Sequence, residues 1–309
     1  MAQGSLPDSF FDGKSVVLVS VDPGARPVMS WQRFADSVHS ALLEAGADPV
    51  SYYELEQIAL SEERQGVYAK AFEKRLIKNI ILLTRKKESL SMHVGQFSGD
   101  ENIILSNSLY GLQAKTLGEL KSSIAGIGAS RQTKNLLVID VPEFGKVEEN
   151  VESASLKFIP EYPLNLEIFK IGIPIEGSSA SEGLLSYFRY DLYGKSEASI
   201  LAEQANQKTG LENILEREYP YEYVWLIEVK TPQELIQERI QFVLMKVEGR
   251  EADMMESMGL EPIAGAQDRI VVKYYIKLLV RDELYIGEEW DADPDWKIAL
   301  ENFLKNLKK

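Results

Sequence analysis

A length of 309 residues suits two domains better than one core, and 45% apolar with 27% charged residues are globular values that argue against disorder. The formal charge of −14 disfavours nucleic acid as a partner, because an acidic surface repels phosphate backbones. The lack of cysteine excludes disulfides, thiolate chemistry and sulfur-ligated zinc, and two histidines, His39 and His93, are too few for a histidine-rich metal site.

The acidity is uneven. Residues 1–150 carry 16 Lys/Arg against 19 Asp/Glu, and residues 151–309 carry 18 against 29. No apolar run reaches bilayer length, so an integral membrane protein is not expected. The opening Met-Ala-Gln-Gly-Ser-Leu-Pro-Asp has neither the basic nor the apolar region of a signal peptide. Small residues and a polar approach to Phe10-Phe11 fit a chain trimmed at an export site, which leads us to expect a periplasmic or otherwise exported protein; a short cytoplasmic tail is the alternative. Residues 1–10 are read as a disordered lead-in.

In chain order, Ser15–Val21 is a short β-branched run before Asp22-Pro23-Gly24 and predicts a buried strand. Ser30 caps a helix whose apolar positions Trp31, Phe34, Ala35, Val38, Ala41, Leu42 and Ala45 recur at helical spacing, with Gly46 ending it. Asp48–Leu55 predicts a second strand, and Ser61 starts a helix through Arg75. Ile77–Arg85 and Leu90–Phe97 predict a hairpin with one wet face. Thr116 starts a further helix, and Asn135–Val141 reads as the fifth strand. The first domain thus spans 11–145, followed by a charged linker at 146–155.

The second domain, 156–309, is less regular. Strands are expected at Leu164–Ile175 and Tyr223–Val229, and helices at 181–192 and 196–217. Thr231-Pro232 opens a long helix toward Met258. Arg269–Val280 with Glu283–Glu288 forms a second hairpin, and Asp293-Pro294 opens the final helix. The whole is an α/β (α+β) protein of two mixed-sheet domains with helices packed on the sheets, whose similar hairpins suggest distant kinship.

The strand Val16–Val21, the helix Trp31–Ala45 and the hairpin Ile80–Phe97 follow an order that resembles the amino-terminal α/β domain of TolB-type periplasmic proteins. The resemblance covers residues 14–141, about 40% of the chain, and rests on element order, so it implies a binding role in the envelope and carries over no site residue.

Several segments carry partial signatures of chemistry. The loop after the first strand, with Asp22, Gly24, Arg26 and Ser30, lies where open α/β sheets bind anions or nucleotides, although its Pro-Gly turn before a capped helix is also a plain connection. Tyr193-Gly194-Lys195-Ser196 mimics the end of a phosphate-binding loop, but Arg189 stands where its first glycine belongs. Asp291, Asp293 and Asp295 have the spacing of a calcium loop without its glycine or closing glutamate, and capping of a helix explains them. No hydrolase elbow accompanies His39 or His93, so no catalytic residue, metal or cofactor is expected.

Two surfaces invite a protein partner. Eight basic residues against one acid lie between Arg64 and Lys87; Lys70, Lys74 and Lys78 are read as one helix face and Arg85, Lys86 and Lys87 as a hairpin turn, together fit for an acidic partner. Tyr187, Tyr190 and Tyr193, with Phe188, form an aromatic cluster suited to packing or to recognition. The function these features favour is non-enzymatic binding in the bacterial cell envelope, with small-molecule binding at loop 22–30 as the alternative.

Overall fold

The computed structural model describes residues 4–105, 109–130, 132–136, 138–145, 157–175, 185, 188–190, 197–227 and 230–307. Two compact units result: Met1–Ser153 together with Gly183–Tyr193, and Ala154–Glu182 together with Gly194–Lys309. Each carries one mixed sheet with helices, so the α/β class is as expected.

The first sheet has the order β2-β1-β3-β4-β5. Its strands are β1 (Lys14–Val21), β2 (Asp48–Glu54), β3 (Ile77–Arg85), β4 (Leu90–Gln96) and β5 (Tyr110–Ala114). β1 runs parallel to β2 and β3, and is almost wholly buried, as its unbroken β-branched run requires. Helix α1 (Trp31–Glu44), with the Ser30 hydroxyl accepting from the Arg33 N–H, and helix α4 (Leu117–Ala125) cover one face. Helices α2 (Leu55–Ile58) and α3 (Glu62–Lys74) cover the other. Crossovers to opposite faces leave a crevice at the carboxyl ends of β1 and β3.

The second sheet has the order β6-β11-β10-β9-β7-β8. Its strands are β6 (Lys157–Ile159), β7 (Lys170–Pro174), β8 (Tyr223–Leu226), β9 (Ile240–Arg250), β10 (Ile270–Leu278) and β11 (Glu283–Tyr285). Helices α5 (Glu197–Glu218) and α8 (Trp296–Asn306) bury Leu211, Leu215, Leu300 and Phe303 against it. The short α6 (Pro232–Gln237) and α7 (Glu251–Ser257) flank β9. Its centre is an antiparallel pair, where the first sheet is parallel, so the topology lends the suggested kinship no support.

The structure corrects several expectations. Residues 8–11 form a 3-10 turn that seats Phe10, fully buried, in the first core, so the described part of the lead-in is ordered. Asn135–Val141 forms no strand. Ile139 O meets His39 Nε2 at 3.0 Å, Phe144 bridges Tyr52, and Leu136, Ile139 and Val141 are exposed. The segment's apolar run resembles a core strand, but the first sheet is built from the five strands above, and Leu136, Ile139 and Val141 stay outside its core cluster. Residues 164–169 turn at Asn165 (φ +68°), which shortens the expected strand to β7. The helix expected from Thr231 to Met258 stops after six residues at Arg239 (φ +65°), and the rest is mainly β9, an apolar run buried from both faces at the middle of a sheet. The cap of α8 is Asp295, two residues later than expected. The linker 146–155, most of helix 181–192 and the segment 193–196 lie outside the described residues.

Candidate functional site

Alternation along β1 and β3 sends Val16, Leu18, Ile80 and Leu82 to the α3 side, and therefore Ser20 and Thr84 as well. Apolar side chains thus give way to polar ones at the carboxyl end of the sheet. The Ser20 hydroxyl donates to Glu56 Oε1 at 2.5 Å, the latter brought in by α2 and only 1% exposed. Thr84 and Ser91 share a hydroxyl–hydroxyl bond of 2.5 Å, and His93 follows on β4 two residues along the same face.

This polar ledge is covered by residues from far along the chain. Leu185 is completely buried in the α3-side core. Phe188 packs on His93 with ring centroids 4.8 Å apart. Arg189, 2% exposed, donates from Nη1 to the Ala59 carbonyl at 2.9 Å. The Tyr190 N–H is shared between Ser20 Oγ and Glu56 Oε1, each at 3.1 Å. The Tyr190 N–H, the buried Leu185 side chain and the Phe188–His93 contact hold this segment on the ledge, with Leu185, Phe188 and Tyr190 in 3-10 conformation. Of the expected tyrosines, Tyr190 is half-buried here, while Tyr187 and Tyr193 lie outside the described residues.

Burial lowers the His93 pKa below its ordinary 6.5, and the Lys86 charge adds to this. Between the two values the unfolded chain takes up a proton that the folded chain refuses, so this contribution is complete above about pH 6.5 and is lost as pH falls. Thermal unfolding should therefore show the first unit losing stability on acidification to pH 5. In a His93→Leu variant the loss should shrink; an unchanged acid profile would remove His93 from the account.

Loop 22–30 lies on the α1 side. Asp22 Oδ1 accepts from Gly24 N at 2.6 Å, Arg26 Nη1 donates to the carbonyls of Pro23 and Ala25, and Arg85 Nη2 donates to the Pro27 carbonyl at 2.5 Å. Loop and hairpin turn, separate in the sequence reading, therefore meet. The basic run itself divides. Lys70 and Lys74 are exposed on α3, but Lys78 is on β3, because the chain leaves the helix at Leu76 (φ +60°). Arg85 is buried, and Lys86 and Lys87 are exposed at the turn. The run Lys70–Lys78 is thus no single helix face.

Lys78 instead lines a cleft of about 380 Å³ with Asp8, Ser9, Asp12, Gln132 and Lys134, at the amino end of β3. There Lys134 pairs with Asp12 at 2.6 Å. The three aspartates of the would-be calcium loop serve separate structural ends. Asp291 pairs with Lys273, Asp293 Oδ1 accepts from the Asp295 N–H, and Asp295 caps α8 through the Lys297 N–H. Among the described residues no cluster of three His, Asp or Glu could hold a metal ion, and no helix is long and apolar enough to cross a membrane.

No protein-family model, curated protein or solved structure matches the chain.

Proposed function

We propose that the first unit is a peptide-holding module and that the protein acts through protein–protein contacts rather than catalysis. One observation carries the reading: the crevice of the first sheet is filled by a peptide segment, with Leu185 in an apolar socket and the Tyr190 N–H on the Ser20–Glu56 pair. A partner with a leucine, an aromatic residue three positions on and an Arg-Tyr pair after it would meet the same groups as residues 185–190. A hydrogen bond of this kind contributes about 0.5–1.5 kcal/mol net, which helps to fix register while the side chains select the sequence.

The test is to empty the seat and refill it. A Leu185→Asp, Arg189→Ala variant should keep the circular dichroism of the native chain and bind a synthetic 183–193 peptide saturably. The added change Glu56→Ala should abolish that binding. A variant that unfolds, or one that folds and ignores the peptide, shows that the segment is fixed architecture and ends the proposal.

A further inference from the structure

On the opposite face of the same sheet end, β3 turns Arg85 toward the α1 side, as it does Ile81 and Leu83. The side chain is 6% exposed, and the Nη2 bond to Pro27 O sets its guanidinium under the loop that leads to the Ser30 cap. Nη1 is buried and, among the described residues, has neither a hydrogen-bond acceptor nor a carboxylate to pair with. A buried guanidinium donor that no protein acceptor meets is unfavourable unless water or a ligand supplies the acceptor.

The surroundings favour an anion. Helix α1 is 14 residues long, and the Ser30 hydroxyl accepts the Arg33 N–H, so the N–H groups of Trp31 and Gln32 have no partner within the helix. They lie at the positive end of its dipole. Lys87 rests against Gly24, where a Cβ would lie 2.5 Å from its Cε and 3.3 Å from its Nζ. The carboxylate at the loop, Asp22, is engaged by the Gly24 N–H, and the Arg26 guanidinium is turned onto carbonyls of its own loop.

We propose that the end of β3 beside loop 22–30 binds a phosphoryl group, with Arg85 Nη1 and Lys87 Nζ as cationic donors and the first-turn amides of α1 completing the cradle. Two cations and a helix N-terminus suit a dianion better than a carboxylate.

Inorganic phosphate should be titrated into the full chain at constant ionic strength, with chloride as the balancing salt, while the amide resonances of Trp31 and Gln32 are followed. A saturable shift is expected in the native chain, about tenfold weaker in Lys87→Glu and absent in Arg85→Gln. Lys87 is exposed, so its variant decides the matter if the Arg85 variant does not fold. Glycerol 3-phosphate run in parallel assigns the site to a phosphate monoester if it binds more tightly, and to free phosphate if it does not. No shift beyond that of chloride, or equal affinity in the native chain and Lys87→Glu, overturns the proposal.

Discussion

Replacing Asp291 with alanine is expected to cost the second unit about 3–5 kcal/mol, the usual result of removing one member of a buried ion pair. Lys273 lies wholly inside the unit, with Nζ donating to Asp291 Oδ1 at 2.6 Å and to the Ile286 carbonyl at 2.7 Å. Its ammonium also lies 4.9 Å from the Phe303 ring centroid. Burial pushes the Lys273 pKa down and the Asp291 pKa up, and each partner's charge opposes the shift of the other. Without Asp291 the ammonium keeps one carbonyl and the ring faces of Phe303 and Trp290, which offset little of its lost hydration. The double change Lys273→Met, Asp291→Leu removes both charges and should recover most of the loss. Urea unfolding of the three proteins checks this. A single variant as stable as the native chain, or a double variant worse than the single, would contradict the account.

Phe72→Ala is expected to cost the first unit a comparable ~3–5 kcal/mol, from lost burial plus a cavity. Phe72 is fully buried, with ring centroids 5.6 Å from Tyr53, 6.0 Å from Tyr68 and 6.0 Å from Phe97. The same cluster takes in Leu185, so residues 183–193 should become easier to cleave at low protease concentration. Phe34→Ala serves as the comparison. It empties an equally buried position, but in the α1-side core, and should cost as much stability while sparing that segment. Equal cleavage in both variants would show that the segment reports only global unfolding.

What could be read from the chain followed locality. Ser30, Ser61 and Thr116 each stand before an amphipathic stretch, and each caps a helix through its side-chain oxygen. Ile77–Arg85 was bounded by its own composition and is β3. β9 carries no strand signature because Phe242 and Leu244 face one core while Val243 and Met245 face another, which erases the alternation that marks a strand. The Thr231–Glu234 capping box truly starts a helix, but nothing in the apolar run beyond it announces that the helix ends after six residues. Within the site, Arg85 drew notice for its charge, yet its burial under Pro27 depends on a contact 58 residues away. Ser20 and Glu56 carried no signal at all. They matter because Tyr190 comes back to them across 170 and 134 residues.

That return makes the first unit discontinuous, with the Ala154–Glu182 piece of the second unit's chain emerging between its two pieces. On a ribosome, all five strands of its sheet are made long before Leu185 and Tyr190 exist to cover its polar ledge. Closing so long a loop costs entropy that grows only slowly with length, but the contacts that offset it cannot form until the segment has been synthesised. Until residues 183–193 are made, the Ser20–Glu56 pair of the nascent sheet lacks the Tyr190 N–H that it holds in the folded unit.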